Sequence, residues 1–62
     1  MTETDAAYIR TQIQRLNSGR YDHDDCLWRI ASAANLLPPT VQGIDDSNRP
    51  QIQAWVQQFK AR

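Results

Sequence analysis

Gly19, the proline pair Pro38 and Pro39, and Pro50 divide this chain into three stretches, each carrying apolar residues at helical spacing. In the first, Thr2 or Thr4 suits an N-cap, Glu3 and Asp5 suit the positive end of a helix dipole, and Gly19 suits a left-handed stop. The pattern predicts a helix over about residues 4 to 17 with Ala6, Ile9, Ile13 and Leu16 inward and Tyr8 at the edge. In the second, Asp22 is the expected N-cap, with Tyr21 and Cys26 at the positions of a hydrophobic staple. Leu27, Ile30, Ala31, Ala34 and Leu37 form its inward face, Trp28 flanks that face, and the proline pair ends the helix. Ala31, Ala33 and Ala34 are small enough to let a neighbouring helix approach closely.

The third stretch carries the stripe Ile52, Trp55, Val56 and Phe59 among Gln51, Gln53, Gln57 and Gln58. Ser47 or Asn48 can cap it, Pro50 is tolerated in its first turn, and a helix over about residues 49 to 60 follows, with Lys60 and Arg62 at its negative end. Between Pro38 and Arg49 the sequence reads either as a long ordered loop or as a loop holding a short fourth helical turn near Thr40.

With 62 residues, the chain has room for a single small domain over 1–62, and a chain of this size buries only about 60% of its unfolded surface. Small domains gain stability from disulfides, a structural metal or association. Cys26 is the lone cysteine, which excludes an internal disulfide and a multi-cysteine zinc site, so association remains. A lone thiol suits a reducing cytoplasm. The acidic start and the short apolar run Ala6 to Ile9 resemble neither a signal-peptide core nor a membrane span, and the expectation is a soluble, unprocessed, cytoplasmic chain. Seven basic residues balance seven acidic ones, leaving no overall field to draw in nucleic acid or an anionic membrane.

The densest chemistry is Asp22, His23, Asp24, Asp25 and Cys26. An EF-hand loop needs a central glycine and a distant closing glutamate, both absent here, so the acids read as cap and dipole partners. A cation held by His23 and a carboxylate is the alternative. His23 lies near the line of Leu27, Ile30 and Ala34 and reads as a partly buried structural histidine. Cys26 reads as a small packed hydrophobe whose thiolate the neighbouring acids disfavour. Asp45, Asp46, Ser47 and Asn48 read as turn and cap residues. Gly19 and Gly43 are isolated, so a phosphate-cradling loop is absent. Arg10, Arg15, Arg20 and Arg29 read as solvated charges, with Asp25 and Arg29 at favourable four-residue spacing. No base, nucleophile and oxyanion donors converge in sequence, and neither an enzyme nor a cofactor is expected.

The run Ile30 to Ile44 resembles the helix-turn-helix of bacterial repressors. Ala31 matches the packed alanine of the first helix, Asn35 the turn residue, and Thr40 with Val41 the anchor of the second helix; Leu36 and Ile44 fill apolar positions. The resemblance covers about a quarter of the chain and implies a recognition helix starting within Pro38 to Ile44. It also implies DNA contact through Thr40, Gln42 and Arg49. Charge disfavours that contact: Gln42 is the lone ready base reader, and Asp45 and Asp46 would meet phosphate with the wrong sign.

These readings converge on an all-α, three-helix domain that works as a non-catalytic protein-protein interaction module or small accessory subunit. Its expected contact residues are Trp28, Trp55, Phe59 and Tyr8, and its expected partner is another protein, a second copy, or both. A small helix-turn-helix transcriptional regulator is the alternative.

Overall fold

The computed structural model describes residues 1–61, in the order α1 (Glu3–Ser18), α2 (His23–Ala34) and α3 (Arg49–Lys60). Arg62, expected at the negative end of α3, lies outside the described residues. The radius of gyration, 10.9 Å, is close to the roughly 10.6 Å of a compact chain of this length.

Each helix end has a local cause. Thr2 caps α1 by accepting from the Asp5 N–H at 3.1 Å, and Gly19 ends it in the left-handed region at φ 74°. Asp22 caps α2, its Oδ1 accepting from the Asp25 N–H at 2.8 Å. At the other end α2 stops at Ala34, ahead of Leu37, where the proline pair was expected to stop it. The cause is Asn35, which adopts φ 57° while the Leu36 N–H reaches back to the Ala31 carbonyl at 2.9 Å and the Asn35 N–H to that of Ser32 at 3.3 Å. This is a Schellman termination, which asparagine tolerates better than most residues. Leu37 still packs inward, but from the loop.

No recognition helix follows. Pro38 to Val41 form a single turn closed by the Val41 N–H on the Pro38 carbonyl at 3.0 Å, so the fourth helical turn considered near Thr40 is this one turn. The stretch beyond it is held as loop by Asn48, whose amide donates to the Gly43 carbonyl at 3.0 Å and accepts from the Asp45 N–H at 2.9 Å. Asn48 occupies the N-cap position of α3 but makes no capping bond with its side chain. Asp45 supplies the capping contacts instead, its Oδ1 accepting from the Ser47 N–H and hydroxyl and from the Asn48 N–H. Ser47 is thus a donor to this turn.

The core is aliphatic. Ile9 and Ile13 of α1, Leu27, Ile30 and Ala31 of α2, and Ile52 and Val56 of α3 form one buried cluster. The central helix α2 packs on both neighbours, while α1 and α3 make far less contact with each other than either makes with α2. Ala6 and Leu16, expected inward, are only partly buried, whereas Gln12 is buried at 2% exposure among the isoleucines.

Candidate interaction surfaces

All five aromatic side chains stay out of the buried core. The four expected as contact residues fall into two places. Tyr8 of α1 and Trp28 of α2 line one open groove together with Asp25, Arg29, Ser32 and Ala33. Trp28 also borders a second concavity formed with Leu37, Pro38, Pro39 and Val41, so its indole is the ridge between the two. Helical spacing explains the placement: Trp28 follows the buried Leu27 by one residue, which turns it to the flank of α2. Tyr8, 41% exposed, and Asp25 both hold charge on Arg29, raising its guanidinium above the ordinary value, with the Tyr8 hydrogen bond the larger cause. The expected Asp25 and Arg29 pair is formed at 3.2 Å.

Trp55 and Phe59 sit on α3 with their rings stacked at 5.2 Å between centroids and 22° between planes. Both are half-buried against the core edge. The centre of the α3 stripe is Ile52 and Val56, and Phe59 is a shoulder residue rather than the centre of the apolar face. Phe59 faces an open groove bounded by Met1, Ala6, Arg10, Ile13 and Gln14 of the N-terminal half of the chain and by Lys60.

The three residues named for DNA contact are not brought together as a reading head. Thr40 and Gln42 are exposed on the loop, where they share a shallow concavity with Asp45. Arg49 is engaged elsewhere: its Nε and Nη2 donate to the two Asp24 carboxylate oxygens at 2.9 and 2.8 Å, and its Nη1 donates to Asp46. This fork joins the first turn of α2 to the first turn of α3. It holds the Asp24 carboxyl at about 2, below its ordinary 3.8, with the hydrogen bonds from Arg49 as the largest cause, and it raises Arg49 in turn. Sequence spacing carried no signal for it, because the pair is far apart along the chain and Asp24 is fully explained locally as a first-turn acid.

The acidic cluster otherwise behaves as caps. His23, expected to be partly buried, has a half-exposed side chain with Nδ1 3.5 Å from Asp24. It lies on the line of Leu27 and Ile30 but at the first residue of α2, at the end of the helix, where solvent reaches it. Cys26 is packed inside, and burial first, then the charge of Asp25, pushes its thiol above 9.0. Tyr21, named with it as a staple, is 51% exposed and carries the Arg15 guanidinium 5.1 Å above its ring centre. Among the described residues no three His, Cys, Asp or Glu side chains converge on a metal-sized site, and no helix is long and apolar enough to cross a membrane.

Gln12 is the residue that sequence reading passed over. Its Oε1 is buried and finds no donor among the described residues. Its position, three residues after Ile9 and four before Leu16, was the available signal, since that spacing puts it on the inner face whatever its polarity. Compared with known proteins, the chain matches no family model, no curated protein and no solved structure.

Proposed function

We propose that this chain is a non-catalytic protein-protein interaction module, or the small accessory subunit of a larger assembly. One observation carries the reading: a domain this short closes its core with aliphatic side chains, leaves Tyr8 and Tyr21 exposed and buries Trp28, Trp55 and Phe59 only in part. Aromatic rings are the largest apolar payload available to a small chain, and burying them would have been the most direct route to stability. Partner-binding surfaces are where such rings are enriched, because one aromatic anchor in a desolvated pocket contributes more than many peripheral contacts.

Trp28 is the first contact residue of this reading, with Tyr8 beside it, and Trp55 and Phe59 form a second aromatic site. The test is recovery of the tagged chain from its native host under mild conditions, comparing native protein with Trp28→Ala and Tyr8→Ala. The expected outcome is a stoichiometric partner, or a second copy, retained by the native chain and lost from Trp28→Ala while the variant keeps its helical circular dichroism. Native and Trp28→Ala chains that both emerge alone would remove the reading.

A further inference from the structure

Resting on the interaction-module reading, we infer that the groove between α1, from Ala6 to Gln14, and the C-terminal end of α3 is the docking site for an acidic amphipathic helix of a partner protein. The groove exists because both outer helices lean on α2 and scarcely on each other. Its apolar surface is Ala6, Ile13 and Phe59, with Trp55 stacked behind Phe59. Its charged side chains are Arg10 on the α1 side and Lys60 on the α3 side, and its lining holds no carboxylate. Glu3 reaches Arg10 at only 3.6 Å, and the Arg10 side chain is 56% exposed, so this contact leaves the guanidinium open to a stronger anion. Of the remaining acids, Asp5 stands in the first turn of α1 outside that lining, and Asp22, Asp24, Asp25, Asp45 and Asp46 gather where α2 and α3 begin. A chain of zero net charge therefore presents a cationic groove at one end.

Geometry selects a helix as the occupant. Along α1 the lining runs from Ala6 through Arg10 to Ile13 and Gln14, a helical ridge of roughly 12 Å. A helix laid there would complete a four-helix arrangement, its apolar face on Phe59, Ala6 and Ile13 and its acids beside Arg10 and Lys60. Charge argues against a second copy docked groove to groove, since a two-fold contact would bring the same cations face to face. It argues against an anionic bilayer as well, because surfaces that bind anionic lipid gather about four to eight cations, and this groove holds Arg10 and Lys60 alone.

The experiment uses the whole chain, labelled with nitrogen-15, and two synthetic peptides that share leucines at i, i+3, i+4 and i+7. One carries Glu at its other positions and the second carries Lys. The Glu peptide is expected to move the amide resonances of Ala6, Ile13 and Phe59, with an effect that weakens as salt is added. Arg10→Glu combined with Lys60→Glu alters exposed charges outside the core, and it should lower affinity for the Glu peptide by about tenfold or more and turn the preference towards the Lys peptide. Equal binding of both peptides, or an unchanged affinity in the double variant, overturns the proposal. So do shifts confined to Tyr8 and Trp28, groove shifts that follow protein concentration alone, or groove shifts produced by anionic vesicles and not by the Glu peptide. These outcomes leave the interaction-module reading standing, because that reading fails through the behaviour of the native and Trp28→Ala chains in the host.

Discussion

Arg49 grips Asp24 with both prongs of its guanidinium, although the pair stand at the starts of different helices. Asp24 therefore serves twice, as a first-turn acid of α2 and as the anchor of α3. A carboxyl held below its unfolded value binds fewer protons in the folded state, so the fork adds stability above 3.8 that is lost as pH falls through about 2. Asp45, lowered first by the Ser47 hydroxyl and then by backbone N–H groups, acts in the same direction. Thermal unfolding followed by circular dichroism at a series of pH values should show Asp24→Asn melting below the native chain at neutral pH, with the two curves converging in strong acid. A gap independent of pH would show that the carboxylate charge is not what matters. Arg49→Lys keeps the charge but not the planar fork, and it should also melt below the native protein at neutral pH.

The α3 stripe separates into a centre and a shoulder. Ile52 is fully buried, and Ile52→Ala should cost about 2 to 5 kcal/mol, enough to threaten a domain of this size. Phe59 is half-buried, and Phe59→Ala should cost about 1 to 2 kcal/mol and leave a folded chain. Urea titration of both variants decides the matter, and equal losses would return Phe59 to the core.

Gln12 holds a buried carbonyl oxygen without a donor among the described residues. Replacing the amide with an apolar side chain of similar length removes that penalty, so Gln12→Leu is expected to raise the unfolding free energy by about 1 kcal/mol. A loss of stability of the same size would reveal a partner for the amide in solution, such as a trapped water.

Binding to duplex DNA should be undetectable at physiological salt, or feeble and without sequence preference. Arg49 is occupied by Asp24 and Asp46, and Thr40 and Gln42 ride on a loop rather than a helix. Fluorescence anisotropy with labelled duplexes checks this. Tight binding to one sequence, abolished by changing Gln42, would promote the regulator reading over the interaction module.

What the sequence made legible followed from local rules. The bounds of α3 could be read because Pro50 fixes the first turn and the Ile52 to Phe59 period runs undisturbed to Lys60. Thr2, Asp22 and Gly19 cap and stop their helices as their side chains dictate. The end of α2 was misread because two stop signals competed, and the asparagine with its reciprocal backbone bonds acted before the prolines were reached. The resemblance to repressors placed the turn at Asn35, where it occurs, and then a helix where Asn48 holds a loop. The flank positions of Tyr8 and Trp28 were readable from helical spacing, whereas the fork between Asp24 and Arg49 depends on how the helices are set against one another and has no signature in spacing.

The fork fixes one end of α3 by charge, while the other rests on the core edge through Phe59. At its start the helix is bonded through Arg49 to α2; at its finish the groove beside Phe59 opens between it and α1. Between those ends Ile52 and Val56 seat the helix in the core, so α3 is held by charge at its start, by aliphatic packing along its middle and by an aromatic shoulder at its finish. The cleft therefore borders the aliphatic centre on which α2 holds the fold together without being part of it, and its far wall, Phe59, is the shoulder of that centre.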